Sequence, residues 1–270
     1  MRIAIGFWGL TRCLKDHTIE SIRRNVFDVL SKHGIEYDVF IHTYEKGEGD
    51  VVADCKLLEP MRCEIHKHDD VVPVIDFPKY RTQPDPWDTS YRSVDNFLLA
   101  MWSKSRLTKL IASSGIQYDR VVYMRPDALC LTPLSPIFLA AARDGAICIS
   151  DHDRYSQHKM NDRFAICTWN NFQAYGDVFR FLYGMSKVTS LHSETIIGSI
   201  LQGYGFNVIP IPFYFYLFRA KNGARHRHVD DVLSRKLAKL TSMPVLKIES
   251  IGNGGLSCSP VPRSFRFIPT

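Results

Sequence analysis

The spacing of apolar and polar positions changes period repeatedly along the chain, and the changes mark out alternating short strands and amphipathic helices. Residues 2–7 form a short apolar run that gives way to Gly9, Thr11 and Arg12, which predicts a strand followed by a glycine-bearing loop. Between Thr18 and His33, Ile19, Ile22, Val26, Val29 and Leu30 recur at three- and four-residue intervals and Gly34 closes the run, which predicts a helix with one buried face. Tyr37 to Thr43 is a second strand. The opening of the chain therefore reads as a βαβ unit whose first loop offers backbone N–H groups to an anion. Its glycine spacing does not match the dinucleotide fingerprint, so no nicotinamide cofactor is indicated.

Cys63–His66 and Val71–Ile75 are short strand candidates in a stretch punctuated by Pro73, Pro78, Pro84 and Pro86. A long helix is predicted from Ser93 to Ile111, with Val94, Phe97, Leu98, Met101, Trp102, Leu107 and Leu110 on its apolar face. The strand beginning near Tyr118 follows, then a short helix at 135–142 and a strand at 146–149 that delivers Ser150, Asp151 and Asp153. Asn161–Cys167 is a polar turn running into a strand, Phe172–Tyr183 a helix, and Thr195–Gln202 a helix capped by Ser193. Phe206–Pro212 is a further strand with an aromatic continuation to Arg219, Val229–Leu240 a helix, and 242–270 a tail rich in Gly, Pro and Ser that wraps the surface.

Composition narrows the class without naming an activity. The 270 residues, 45% apolar and 23% charged, are those of an ordinary globular protein, and a net charge of +6 suits an anionic small ligand, an acidic polymer or neither. Seven scattered cysteines without CxxC spacing read as reduced core thiols, not as a disulfide framework or a zinc site. The N-terminus turns polar too quickly for a signal peptide, and the longest apolar stretch, Val208–Phe218, contains two prolines and is about half a membrane span. A cytoplasmic protein with no membrane span and no nucleic-acid partner is the expectation.

The candidate chemistry centres on Tyr118–Leu134. Val121, Val122, Tyr123 and Met124 lead into Arg125-Pro126-Asp127, and Pro126 ends regular pairing where the carboxylate appears. Strand ends are where ligands bind in open α/β sheets. Asp127 there can hold a divalent cation and Arg125 can pair with phosphate oxygens; the plain alternative is a solvated surface pair. Arg92, beside Tyr91 at a helix N-terminus, is placed to hold a phosphate. Glu194, in the first turn of a helix, is favoured by the helix dipole whether or not it is catalytic. His66-Lys67-His68-Asp69-Asp70 reads as a solvated loop in preference to a metal site, and Arg225-His226-Arg227-His228 as a basic patch that faces solvent, closes over a diphosphate or meets an acidic polymer.

Five segments taken together, 6–12 (Gly-Phe-Trp-Gly-Leu-Thr-Arg), 37–43, 118–127, 161–166 (Asn-Asp-Arg-Phe-Ala-Ile) and 192–195 (His-Ser-Glu-Thr), resemble a diffuse glycosyltransferase family of large DNA viruses, algae and polysaccharide-making bacteria. The resemblance covers residues 1–220 and extends to chlorovirus-type xylosyltransferases. It implies a GT-A-like (Rossmann-like) fold: an α/β single domain with a mixed, mostly parallel sheet flanked by helices over 1–240, with 241–270 packed on it. It also implies transfer of a sugar, xylose among the candidates, from a UDP-linked donor to a glycan or glycoprotein hydroxyl with inversion. By this resemblance Glu194 is the catalytic base, with Asp162, Asp151 and Asp153 as competitors. Gly6, Trp8, Thr11, Arg12, Arg92, Arg125, Asp127 and Arg163 then bind the donor. Such enzymes commonly hold Mn2+ or Mg2+ on Asp-x-Asp. Here Arg125 replaces the first carboxylate, which leaves Asp127 as metal ligand and makes metal independence an equal expectation. A nucleotidyltransferase is an alternative, although Gly6–Lys15 has only part of an activating loop. A non-catalytic carbohydrate- or polyanion-binding module is another.

Overall fold

The computed structural model describes residues 1–218 except 12, 48, 88, 155 and 159, together with the backbone of two strands, 245–251 and 255–261. Val229–Leu240 and the 225–228 patch lie outside the described residues. By its contacts the chain divides into two compact units, Met1–His226 and Arg227–Thr270.

The first unit is built on a seven-stranded sheet. Its strands are β1 (Arg2–Trp8), β2 (Glu36–Glu45), β3 (Arg62–Lys67), β4 (Arg120–Met124), β6 (Ala146–Ser150), β7 (Phe164–Thr168) and β8 (Asn207–Ile211), in the order β3-β2-β1-β4-β7-β6-β8. All pairs are parallel except the two made by β7. The expected α/β architecture, a mixed and mostly parallel sheet flanked by helices, is what the chain forms. A smaller pair, β5 (Ala128–Cys130) with β9 (Phe215–Leu217), caps the sheet where β4 ends.

Alternation along β1 sorts the core into two layers. Ile3, Ile5 and Phe7 face a helical stretch, residues 14–32, in which π-type turns (Leu14–Thr18, Arg23–Phe27) alternate with α1 (Ile19–Ile22) and α2 (Asp28–Lys32); Ile22, Val26 and Leu30 pack there as the spacing predicts. Ala4, Gly6 and Trp8 face α5 (Arg92–Ala112), joined by α7 (Phe172–Gly176) and α9 (Ser193–Gly203). Gly6 is explained by this packing: a Cβ would stand 2.8 Å from Leu107 Cδ2. It lets α5 lie close on β1, a packing role that accounts for the glycine without a donor.

Three local expectations are corrected. Val71–Ile75 is not a strand but the end of α4 (His68–Ile75), because its buried residues are Val71 and Ile75, four apart, while Val74 is exposed. Phe172–Tyr183 is not one helix: it breaks at Asp177–Val178 into α7 and α8 (Phe179–Ser186). The cap of α9 is His192, whose Nδ1 accepts from the Thr195 N–H at 3.4 Å, and Ser193 instead donates to Glu194. The remaining helices are α3 (Val51–Lys56) and α6 (Pro136–Ala141). In the second unit β10 (Val245–Ile251) and β11 (Gly255–Val261) pair antiparallel, so this part of the tail forms a hairpin.

Candidate active site at the ends of β1, β4 and β7

β2 and then β3 are added on one side of β1 and β4 pairs on the other, so the crevice between β1 and β4 is the topological switch point where such sheets take ligands. Arg125-Pro126-Asp127 emerges there. Pro126 ends β4 as expected, and its carbonyl accepts from Thr18 Oγ1 at 2.7 Å, which fixes the turn against the neighbouring helix. Because β7 runs against β4, the start of β7 lies at this end: Phe164 pairs with Met124, and Asp162 and Arg163 stand just before it. The same end receives Asp151 and Asp153 after β6 and Glu194 in the first turn of α9.

Arg125 and Asp127 form a clamp. Nε donates to Oδ1 and Nη2 to Oδ2, both at 2.7 Å, and Asp127 is wholly buried. Burial works against the charge on Arg125, and Asp127 outweighs it, so the guanidinium pKa is raised. The pair is therefore a buried, bidentate ion pair and not a solvated surface one. The guanidinium carbon lies 5.1 Å from the centre of the Trp8 ring. Gly9, at φ +97°, brings the backbone within reach: its absent Cβ would sit 3.4 Å from Arg125 Nη1.

Behind Trp8 is Lys104, on α5 and fully buried. Its ammonium lies 3.9 Å from the Tyr175 ring centre and 5.6 Å from that of Trp8, and it makes no hydrogen bond. Burial pulls its pKa down to about 7, against the pull of Asp162. Asp162 Oδ1 and Trp8 Nε1 are likewise buried without a hydrogen-bond partner. Two donors without a hydrogen bond, beside a carboxylate oxygen whose charged contact is Arg163 Nε at 3.5 Å, are costly in a folded protein and make this neighbourhood the candidate for receiving polar ligand groups. Lys104 is not among the candidates the sequence yields, although it stands in phase with Phe97, Met101, Thr108 and Ile111, the buried positions of α5.

Asp162 is the electrostatic centre of the group, with Lys104, Arg125, Arg163, Glu194 and Tyr175 all feeling its charge. Arg163 Nε is 3.5 Å from Asp162, and its Nη1 donates to Asp153 Oδ2 at 2.6 Å. Asp153, a competitor for the base, is thus engaged by Arg163, and Asp151 lies 3.3 Å from Arg154. Glu194 accepts from Ser193 Oγ at 2.7 Å and lies 3.5 Å from His192 Nδ1. Burial first, then the charge of Asp162, raises its pKa above the usual carboxylate range. A carboxylate so placed is a stronger proton acceptor than an exposed one. Exposed Trp87 lies against His192, ring centres 5.6 Å apart.

The structure thus brings together Trp8, Arg125, Asp127, Asp162, Arg163 and Glu194 and adds Gly9, Lys104, Asp153 and His192. It does not bring in Thr11, whose hydroxyl is turned to Asp54 at 3.5 Å. Nor does it bring in Arg92, which stands exposed twelve residues before Lys104 on the same helix, about 18 Å of rise away. Arg12 lies outside the described residues. A divalent cation on Asp127 does not fit the donor set: the carboxylate is wholly buried beneath Arg125, which leaves its second lone pairs no open side, and the position two before it, a carboxylate in an Asp-x-Asp site, is that same cation. A separate cavity of about 410 Å³, lined by Tyr118, Asp119, Asp144 and Trp169 among others, opens at the other end of β4.

No family model matches the chain and no curated protein matches it significantly. Among solved structures it is similar to mouse xyloside xylosyltransferase 1 in its apo form, with 13% identity over 78% of this chain and 85% of that one at a TM-score of 0.39. It is also similar to the galactosyltransferase LgtC in complex with donor and acceptor sugar analogues, with 11% identity, 92% and 98% coverage and a TM-score of 0.48. A third is apo GlyE, a glycosyltransferase of Streptococcus pneumoniae, with 9% identity, 77% and 44% coverage and a TM-score of 0.40. No helix among the described residues is long and apolar enough to cross a membrane.

Proposed function

We propose that this protein is a glycosyltransferase that moves a sugar from a nucleoside diphosphate donor, UDP-linked, to a glycan hydroxyl with inversion. The observation that carries the reading is the buried Lys104 ammonium, without a hydrogen bond, and the Asp162 oxygen, without a hydrogen bond and 3.5 Å from Arg163 Nε, beside the Arg125–Asp127 clamp at the switch point. A donor of this kind presents both a diphosphate, which needs fixed cations, and sugar hydroxyls, which donate to a carboxylate while accepting from an ammonium or an N–H.

In this mechanism Arg125 and Lys104 neutralise the charge that collects on the departing diphosphate. Asp162 orients the sugar. Glu194 takes the acceptor hydroxyl's proton as its oxygen bonds to the anomeric carbon; the bond from that carbon to the phosphate oxygen breaks and the electron pair leaves with the nucleotide. Trp87, exposed beside His192, offers a face for the acceptor. Xylose is the first donor sugar to try.

The test is a panel of UDP-, GDP-, CMP- and dTDP-sugars, UDP-xylose included, read by thermal shift and by release of free nucleotide. UDP-sugars alone are expected to stabilise the protein and be slowly hydrolysed. A chain stabilised by no nucleotide would overturn the reading.

A further inference from the structure

A second group of ligand-bearing side chains gathers on β2 and β3. His42 stands opposite Glu64 in the parallel register, and His66 lies two residues further along β3, so all three side chains leave one face of the sheet. One ligand atom from each lies within 4.8 Å of the other two. His42 Nε2 is 3.1 Å from His66 Nδ1, and His66 Nε2 is 3.7 Å from Glu64 Oε1.

The surroundings orient these groups. Ser103 Oγ lies 2.7 Å from His42 Nδ1, which fixes that ring and leaves Nε2 turned toward His66. Arg106 donates to both oxygens of Glu64, and each oxygen keeps a further lone pair. Such outer hydrogen bonds are what hold imidazole and carboxylate ligands in place around a metal. Trp102 closes the site, its ring centre 5.3 Å from that of His42 and 5.0 Å from that of His66. Two nitrogens each bound at the usual zinc distance are about 3.3 Å apart in a tetrahedral site, so the rings at 3.1 Å need to part by little.

We propose that His42, Glu64 and His66 bind a zinc ion, with water completing a tetrahedron. Two imidazoles and one carboxylate suit zinc better than magnesium or calcium, which prefer all-oxygen sets. The site is separate from Asp127 and does not depend on the glycosyltransferase reading. Its role is to brace: Ser103 Oγ, which holds His42, also accepts from the Gly9 N–H at 3.0 Å, so a metal here ties β2 and β3 to the part of α5 that supports the loop after β1.

The test uses the full chain, stripped with a chelator, dialysed against zinc and analysed for bound metal. Wild type is expected to retain one zinc ion per chain, to gain thermal stability from it, and to show the visible absorption of four-coordinate cobalt when Co2+ replaces zinc. His66→Ala removes a half-exposed ligand and is expected to bind zinc about a hundredfold or more weakly with no stability gain; Glu64→Gln is the second variant should the first fail to fold. Asp127→Asn is expected to keep its zinc. No zinc retained by wild type, or zinc retained by both His66→Ala and Glu64→Gln, would overturn the proposal, as would zinc lost only in Asp127→Asn.

Discussion

Replacing Lys104 with methionine separates function from stability at one atom. The ammonium is fully buried, with two aromatic faces near it and no hydrogen bond, and its pKa falls from 10.5 to about 7. The folded state therefore binds fewer protons than the unfolded chain between pH 7 and 10.5. Below about pH 7 both states are protonated and the full penalty is present; as pH rises through 10.5 both become neutral and it vanishes. Linkage puts the cost of the lysine at roughly 4 kcal/mol at pH 7 and about half that at pH 9. Methionine has similar length and no charge to bury. In urea unfolding, Lys104→Met is expected to be more stable than wild type at pH 7, with an advantage that shrinks by about half at pH 9, while nucleotide release from the donor is lost. Taking the difference between the two proteins at each pH cancels the titrating groups that do not feel the Lys104 charge. A variant less stable than wild type by the same amount at both pH values would refute the reasoning, because the lysine would then be a compensated structural group.

Three further substitutions and one addition test the rest of the site. Glu194→Gln keeps shape and removes the proton acceptor, so turnover is expected to fall by about 10²–10⁴ with unchanged or slightly higher melting temperature; full turnover would remove the base assignment. Arg125→Lys loses the planar fork and leaves Asp127 buried with one bond at most, which is expected to cost about 2–3 kcal/mol in urea unfolding and to weaken UDP binding measured by titration. Unaltered UDP affinity would take Arg125 away from the phosphates. Gly9→Ala puts a Cβ at φ +97° against Arg125, an expected loss of about 1–2 kcal/mol seen in the melting temperature, and a silent substitution would mean the loop is not fixed. Added Mn2+ or Mg2+ is expected to leave UDP affinity unchanged in the same titration, since Asp127 is wholly buried beneath Arg125; a marked gain would show that a metal displaces the clamp.

Much of the fold was legible because it rests on period. The 3- and 4-residue spacing of Ile22, Val26 and Leu30, and the apolar strand ending at Pro126, carry their structure locally. Val71–Ile75 misled because a five-residue apolar run has the same composition in a strand and at the end of a helix, and only the packing of Val71 and Ile75 on neighbours distant in sequence decides it. The site was legible where charge falls at a strand end, as with Arg125, Asp127, Asp162 and Arg163. Lys104 was not, since a lysine in phase with the buried positions of an amphipathic helix reads equally as a polar residue at the edge of its apolar face, and only the packing beneath Trp8 shows that it points inward. His42, Glu64 and His66 were hidden for a related reason: their grouping depends on parallel register between β2 and β3, which composition does not give.

The reversed direction of β7 has a consequence for how such a protein can change. Both ends of the segment 151–163 lie at the working edge, because β6 delivers the chain there and β7 takes it back from the same side. That segment carries Asp153, Asp162 and Arg163 and is anchored by buried His152, Met160 and Asn161. With those anchors kept, a change of length between them leaves both strand ends where they are, and under the proposed glycosyl transfer it is the first piece to vary when a different sugar preference is wanted.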